Sequence, residues 1–324
     1  MQLLYNESVP ARTLLFAALL APLPLLAQYP ARAITLVVPF SPGTGIDILA
    51  RACGQKLSER WGVAAPVENR PGASGNIGAE LVANAPADGQ TLLVTATSFA
   101  VNPAVNRVRY DPLRGFAPVA LLATATLALA VHDGVPARNL RELIAYARSR
   151  PGGLDYASPG NGTVQHLATE LFKQAAGVDL RHVPYKEAAG ATRELAAGIV
   201  SAMILPVHTA APLVHAGRVR LLAVIGEERS PVFPDVPTLA EAGVAGVDAS
   251  VWYALLAPAA TPPAVVQKLN AELNAILAAP ELKDALGRQG LVPAGGSPER
   301  LAAHLRAEVE RWARVAAAAR IQAD

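Results

Sequence analysis

The sequence predicts an α/β protein, because short apolar segments alternate with amphipathic ones along most of the chain. Residues 34–39 (ITLVVP) and 91–97 (TLLVTAT) consist of aliphatic residues, threonines and one proline and carry no charge, as expected of strands that are buried on both faces. Between them, residues 46–60 gather their apolar side chains on one helical face. Strands separated by helices favour parallel sheets joined by right-handed crossovers, so the α/β class follows.

Four later segments are predicted to be helices from the same periodicity. They are residues 140–147, residues 164–172, a helix that opens at Pro262 and Pro263, and a last helix that opens at Ser297 and Pro298. Serine and proline at these starts are usual N-terminal signals of helices.

The chain of 324 residues exceeds one average domain, and two domains that share a cleft are a natural division. No long linker separates two independent halves, so we expect the chain to cross between two lobes through strands. The candidate crossings are residues 119–131 and the segment around residues 251–257. The predicted division assigns residues 28–127 and 250–324 to lobe 1 and residues 128–249 to lobe 2.

The first 27 residues differ from the rest and are predicted to be a signal peptide. Residues 13–26 (TLLFAALLAPLPLL) carry no charge, and the stretch suits a secretory signal but is short for a membrane span. The alternative is a buried N-terminal helix, which Pro22 and Pro24 disfavour. No cysteine stands directly after the apolar stretch, so we expect export to the periplasm, removal of the signal peptide and no lipid anchor on the mature N-terminus.

Composition excludes several classes of function. The formal net charge is only +2 and the sequence has no block of lysine and arginine, so a nucleic-acid partner is not expected. The single cysteine, Cys53, excludes an internal disulfide and a cysteine-based zinc cluster. The six histidines include no H-E-x-x-H motif and no i, i+4 pair. We therefore predict no metal, no cofactor and no catalytic residue.

The first candidate site is the loop of residues 39–47 (PFSPGTGID), which joins a buried strand to the start of a helix. Glycines let backbone N–H groups approach a ligand closely, and the helix N-terminus favours an anion. A carboxylate or phosphate can bind there without any arginine or lysine. The alternative is an ordinary turn, with Asp47 placed favourably in the first helical turn.

A second loop repeats this arrangement at residues 156–163 (YASPGNGT), and the helix that follows contains His166. Two such loops at the carboxyl ends of strands suggest one site contacted by two lobes. His166 lies off the apolar stripe of its helix, so it faces either the ligand or solvent.

A third glycine-rich segment, residues 70–78 (RPGASGNIG), resembles a dinucleotide-binding loop in its glycine spacing. The strand that follows ends in Thr97 rather than in the acid that would bind a ribose, which disfavours a nucleotide. Asn76 occupies the last glycine position of G-x-S-x-G, which excludes a nucleophile elbow. We interpret the segment as a tightly packed loop.

At this point the motifs resemble a known family. From about Tyr29 to the C-terminus, the chain is similar to the Bug proteins, the extracytoplasmic solute receptors of tripartite tricarboxylate transport systems. The matching stretches are YPARAITLVVPFSPGTGIDILAR, VENRPGASGNIGAE, PADGQTLL, ASPGNGTVQHLATELFKQAAG, HVPYK, FPDVPTLAEAG and WYALLAPAATPPAVVQKLNAEL.

The resemblance implies a type II periplasmic-binding-protein fold, with each lobe a mostly parallel sheet flanked by helices and the ligand in the cleft between the lobes. It also implies that backbone amides of the first two glycine loops hold a carboxylate, partly through ordered water. Carried over by position, the implied ligand-binding residues are Phe40, Ser41, Gly43, Thr44, Asp47, Thr97, Ser98, Ser158, Gly160, Asn161, Gly162 and His166, to which we add Tyr185 of HVPYK and Glu187 after it.

The chain departs from the family pattern at three places. Thr44 stands between Gly43 and Gly45, where the family usually has consecutive glycines or a glycine and a small residue, and its hydroxyl is available to the site. Residues 200–205 (VSAMIL) lack the two aspartates usual in that segment. Glu187 stands where the family usually has glycine, at the start of a predicted helix.

Glu187 bears on which acid is bound. If it faces the cleft, it repels a second carboxylate on the ligand, because two like charges about 4 Å apart cost roughly 4 kcal/mol at an effective dielectric of 20. The hypothesis is a preference for a monocarboxylate over a di- or tricarboxylate. The alternative is that Glu187 points outward and only favours its own helix N-terminus.

We therefore expect a monomeric periplasmic receptor, not an enzyme, that captures a small carboxylate and delivers it to the large and small membrane subunits of a tripartite transporter. Two alternatives stay open: a ligand receptor for a sensor kinase, and an α/β enzyme that modifies a carboxylate. The enzyme would need a nucleophile and base pair, which the sequence does not display.

Overall fold

The computed structural model describes residues 29–150, 152–247 and 249–318, so the predicted signal peptide, residues 1–27, lies outside the described residues. The strands in chain order are β1 (Thr35–Val38), β2 (Val67–Asn69), β3 (Thr91–Ala96), β4 (Phe116–Ala125), β5 (Leu127–His132), β6 (Asp155–Ser158), β7 (Arg181–Pro184), β8 (Ala202–Pro206), β9 (Val219–Ile225), β10 (Val251–Pro258) and β11 (Leu291–Pro293).

The helices pack on the faces of the two sheets that these strands form. They are α1 (Gly45–Trp61), α2 (Asn76–Ala83), α3 (Ser98–Val105), α4 (Leu140–Arg148), α5 (Val164–Ala176), α6 (Ala188–Ala197), α7 (Val207–His215), α8 (Pro263–Ala278), α9 (Pro280–Gly287) and α10 (Pro298–Ala318).

The two sheets give the two lobes. One has six strands in the order β11-β4-β10-β3-β1-β2, and the other has five in the order β7-β6-β8-β5-β9. The strands followed by helices, β1, β2 and β3 in one sheet and β6, β7 and β8 in the other, pair in parallel. Antiparallel pairs on β4, β5, β9, β10 and β11 complete both sheets, a feature that the alternation of strands and helices did not reveal. The predicted α/β, two-lobed architecture is confirmed.

The chain passes between the sheets through strands. β4 of the six-stranded sheet ends at Ala125 and β5 of the five-stranded sheet begins at Leu127, so Thr126 alone connects them. The return path runs from the end of β9 to Val251, the first residue of β10. Loops at the carboxyl ends of β1, β3, β6 and β8 consequently meet between the lobes.

The helices begin and end as their sequences suggest. Asn139 caps α4, because its side chain accepts a hydrogen bond from the backbone N–H of Glu142 at 2.9 Å. Thr163 caps α5 through the N–H of His166, and α1 ends at Gly62 in the left-handed conformation (φ 68°). Of these three positions, Thr163 lies in a loop between a strand and a helix that lines the site.

A buried carboxylate joins α10 to β10. Glu308 is 5% exposed, and its Oε2 accepts hydrogen bonds from the indole N–H of Trp252 (2.8 Å) and of Trp312 (2.9 Å). Arg311 donates to the other oxygen, Oε1, at 3.0 Å. This cluster, Trp252, Glu308, Arg311 and Trp312, holds the last helix against the strand that carries Val251 and Tyr253 of the site.

Candidate functional site

A cavity of about 470 Å³ lies between the lobes and is lined from both sides. Lobe 1 contributes the loop after β1, the segment before α2, the turn after β3 and the start of β10. Lobe 2 contributes the start of α5, the start of α6, and the end of β8 with the start of α7. The cavity therefore lies at the carboxyl ends of parallel strands, where ligands bind in open α/β sheets.

The first glycine loop lines the cavity with Phe40, Ser41, Gly43 and Thr44, all of which the sequence analysis named. Gly43 has a φ of 80°, which favours glycine. The Thr44 hydroxyl donates to the carbonyl of Ser41 at 2.8 Å and makes no capping bond to α1. The first N–H groups of α1 have no carbonyl partner inside the helix, so this end suits an anion.

Asp47 lies behind the loop and is not among the residues that line the cavity. Its Oδ2 accepts from the backbone N–H of Gly43 at 2.9 Å and from Arg51, and its Oδ1 accepts from Asn69. Burial opposes ionisation, but the hydrogen bonds from Arg51, Gly43 and Asn69 hold the pKa of Asp47 below its usual value. Asp47 thus fixes the shape of the loop as a buried carboxylate.

Thr97 and Ser98 line the cavity at the end of β3. The Thr97 hydroxyl donates to the carbonyl of Ser250 at 3.2 Å and accepts from the backbone N–H of Trp252 at 2.9 Å. Its hydrogen bonds tie the turn after β3 to the beginning of β10.

The second glycine loop reaches the cavity through other residues than those named from the sequence. Pro159, Thr163, Val164 and Gln165 line it, whereas six of the named positions do not: Ser158, Gly160, Asn161, Gly162, His166 and Tyr185. These six lie beside or behind the lining.

His166 turns inward and supports this loop. Its Nδ1 accepts a hydrogen bond from the backbone N–H of Gly162 at 3.2 Å, and its ring stacks on that of His182 at 4.0 Å between centroids. The hydroxyl of Ser158 lies 2.6 Å from His182 Nε2. The backbone N–H of Tyr185 donates to the carbonyl of Ser158 at 2.9 Å. Ser158, His166 and Tyr185 therefore shape the loop from within lobe 2.

The third glycine-rich loop takes part in the cavity as well. Gly72, Ser74 and Gly75 line it. The Ser74 hydroxyl donates across the cleft to the carbonyl of Asn161 at 3.5 Å, and Asn102 donates to the carbonyl of Ser74 at 3.0 Å. The segment is a packed loop that also touches the opposite lobe.

Glu187 faces the cavity, which decides between the two orientations that the sequence left open. Its Oε2 accepts a hydrogen bond from the Ser41 hydroxyl of the other lobe at 3.0 Å. Its side chain makes no capping bond to α6, of which it is the N-terminal flanking residue. Lys186 and Arg193 line the same side, and among the described residues these three are the charged side chains of the lining.

His208 is a lining residue that the sequence analysis missed. It is the second residue of α7, and it packs against Gly45 of lobe 1, because a Cβ atom added to Gly45 would lie 2.2 Å from His208 Nε2. Burial lowers the pKa of His208 to about 4. His208 belongs to no motif in the sequence, and its position directly after a buried strand is the signal that could have indicated it.

The free energy of unfolding is expected to fall as the pH drops below about 6.5, which is the pKa of an ordinary histidine. Burial, and then the charges of His166 and Lys173, lower the pKa of His182 to about 3, and burial lowers that of His208 to about 4. Unfolding below pH 6.5 therefore takes up protons, so the stabilisation present above that pH is lost progressively on acidification.

Urea midpoints measured between pH 8 and pH 5 check this expectation. The double variant His182→Gln, His208→Gln should give a flatter profile than the wild type over that range. If the urea midpoint depends equally on pH in the two proteins, the loss of stability on acidification does not come from His182 and His208.

The described residues contain no group of three or more His, Cys, Asp or Glu side chains placed to hold a metal ion. In the same parts of the chain, no helix has both the length and the apolar character needed to cross a membrane.

The model of the tripartite tricarboxylate transporter family receptor matches residues 49–320. Protein BugT of Bordetella pertussis is 34% identical over 290 residues, which are 89% of this chain and 89% of BugT. The R. palustris protein Rpa4515, solved with adipate, is 40% identical, covers 91% of this chain and 100% of its own, and superposes with a TM-score of 0.88. MatC from Rhodopseudomonas palustris, solved with malate, is 32% identical. The match covers 89% of this chain and 99% of MatC, with a TM-score of 0.82.

These matches extend over most of the chain, and the similar structures share its fold. They confirm the resemblance to the Bug proteins and identify a solute-binding protein rather than an enzyme. The chain belongs to the family of tripartite tricarboxylate transporter receptors, whose members are periplasmic solute-binding proteins.

Proposed function

We propose that this receptor captures a small carboxylate in the interlobe cavity, with the carboxylate held by backbone N–H groups of the first glycine loop and the first turn of α1. The observation that carries this proposal is the makeup of the lining. Its lobe 1 side consists of glycines, prolines, hydroxyl side chains and apolar side chains, and its described charged residues all lie in lobe 2. An anion next to α1 is then bound by uncharged donors, so the protein needs no cluster of basic residues to hold it.

The ligands in the two similar structures support a carboxylate. Adipate and malate were solved with relatives that share the fold, and each carries two carboxylates. A thermal-shift screen of purified protein against small acids tests the proposal. Ligand at 100 times its dissociation constant stabilises the folded state by about 2.7 kcal/mol, and no response to any small acid would contradict it.

We further propose that a ligand with one carboxylate is preferred. Glu187 places a negative charge on the wall opposite Ser41, so a second carboxylate next to it is repelled. The same wall carries two cations, so the preference concerns the position beside Glu187. Met203 and Leu205, in the segment where the family usually has two aspartates, line the floor with apolar side chains. One charged group on an apolar body fits this combination.

Hexanoate and adipate test this preference, because they have the same chain length and differ only in the second carboxylate. We expect calorimetric titration to give about tenfold tighter binding of hexanoate, since exposure of Glu187 weakens the repulsion. In Glu187→Gln the difference should shrink, whereas Glu194→Gln, on the same helix but outside the lining, should keep it. Adipate or citrate binding that is as tight as hexanoate binding, and indifferent to Glu187→Gln, would contradict the preference.

The receptor is further proposed to act as a monomer, exported by a signal peptide at residues 1–27 without a lipid anchor, and to deliver its ligand to the large and small membrane subunits of a transporter. Family membership supports the transporter partner. Capture of detergent-solubilised transporter subunits by the acid-loaded receptor, and not by the empty one, tests that delivery step. Equal capture in both states, or none, would contradict it.

A further inference from the structure

We propose that His208 is a ligand-contacting residue, whose neutral imidazole donates a hydrogen bond from lobe 2 to the carboxylate held at the start of α1. The inference rests on the proposed function, because it concerns the same carboxylate. It adds a side chain that the family motifs do not include, and it gives the anion a contact with each lobe.

His208 lies at the junction of β8 and α7, on the wall of the cavity. β8 ends at Pro206 and α7 begins at Val207, so His208 stands where a strand delivers the chain to the cavity. Its ring lies against Gly45, the first residue of α1, because a Cβ atom on Gly45 would be 2.2 Å from Nε2 and 2.6 Å from Cε1. The imidazole therefore faces the helix end that is proposed to hold the carboxylate.

The imidazole of His208 and the start of α1 can both donate hydrogen bonds to the same carboxylate. Burial keeps His208 neutral at neutral pH, so one ring nitrogen carries a proton and the other is an acceptor. The opposite helix end offers N–H donors, which cannot bond to an imidazole N–H. A carboxylate accepts hydrogen bonds from both, and its two oxygens have enough lone pairs for several donors.

An unpaired ring nitrogen gives an independent observation. His208 Nδ1 is buried and has no hydrogen-bond partner within the described parts of the chain. Buried polar atoms are nearly always paired, so one without a partner calls for an explanation. A flip of the ring about its χ2 bond exchanges Nδ1 with Cδ2, which lies 3.2 Å from the position of a Cβ on Gly45. The flipped ring presents Nδ1 to the start of α1, where the carboxylate can pair with it.

The test compares His208→Phe, which keeps a planar ring but has no donor, with His208→Gln, which keeps an N–H donor. Calorimetric titrations with hexanoate and with adipate give the affinities, and thermal unfolding verifies that each variant is folded. We expect His208→Phe to weaken the tighter-binding acid by about 10- to 100-fold, and His208→Gln to lie within about threefold of the wild type. Hexanamide, which lacks the charge, should distinguish the variants much less.

Three results would overturn the inference. Wild-type affinity in His208→Phe would show that the imidazole makes no hydrogen bond to the ligand. Equal losses of affinity in His208→Phe and His208→Gln would indicate that the side chain acts only through packing. If the wild type binds neither hexanoate nor adipate while other carboxylates do bind, the same comparison is made with the acid that gives the largest thermal shift. If no carboxylate binds, the proposed function fails together with the inference.

Discussion

Gly45→Ala is expected to weaken binding of a carboxylate by about 10- to 100-fold while the protein remains folded. The added Cβ would lie 2.2 Å from Nε2 of His208, so either the ring or the backbone at Gly45 must shift. Overpacking of this kind costs about 1–3 kcal/mol, and here it acts on the contact between lobes. The contact between the lobes should suffer much more than the stability of either lobe.

A double-mutant cycle with His208→Ala isolates this effect. Gly45→Ala should cost affinity in the wild-type background and little in the His208→Ala background, because the ring that the methyl group meets is absent. Gly287→Ala is the matched control, since a Cβ there meets nothing within 4 Å. Titration calorimetry with hexanoate measures the four proteins of the cycle and the control, and equal losses in both backgrounds would show that the Gly45–His208 contact is not responsible.

Glu308→Ala is expected to lower the free energy of unfolding by about 3 kcal/mol. The change leaves two buried indole N–H groups, those of Trp252 and Trp312, without their common acceptor, and it removes one hydrogen-bond partner of Arg311. Glu308→Gln should cost less, because the amide oxygen can still accept from the indoles.

Urea unfolding followed by tryptophan fluorescence measures this loss directly. Glu310→Ala, two residues away at an exposed position, is the control and should change stability by no more than about 0.5 kcal/mol. A loss for Glu308→Ala as small as that of the control would contradict the role of the carboxylate. Because β10 also carries Tyr253 of the cavity lining, partial loss of hexanoate affinity is expected as well.

The sequence predicted the elements next to the first glycine loop closely, because they depend on local patterns. The apolar run of residues 34–39 contains β1, and the periodic segment of residues 46–60 lies inside α1. The antiparallel strand β10 was expected only as a crossing, since its pairing with β3 and β4 joins residues far apart in the chain. Its register depends on contacts that no local pattern encodes.

The orientation of individual site residues was harder to predict for the same reason. Glu187 faces the cavity through Ser41, which is 146 positions away in the sequence. Asp47 and His166 are directed inward by hydrogen bonds with Asn69 and with the backbone of Gly162. His208 carries no motif, and its importance arises only from its contact with Gly45 across the cleft. Such facts require the tertiary structure.

The most direct test of carboxylate capture between the lobes is an amide NMR titration of the isotope-labelled protein with hexanoate. We predict saturable chemical-shift changes that are largest for the backbone N–H groups of Thr44, Gly45 and Ile46. A second set of shifted N–H groups is expected at the start of α7. Largest shifts at amides outside the cavity lining, or no saturable shift with hexanoate or any other carboxylate, would contradict the claim that the glycine loop binds the ligand.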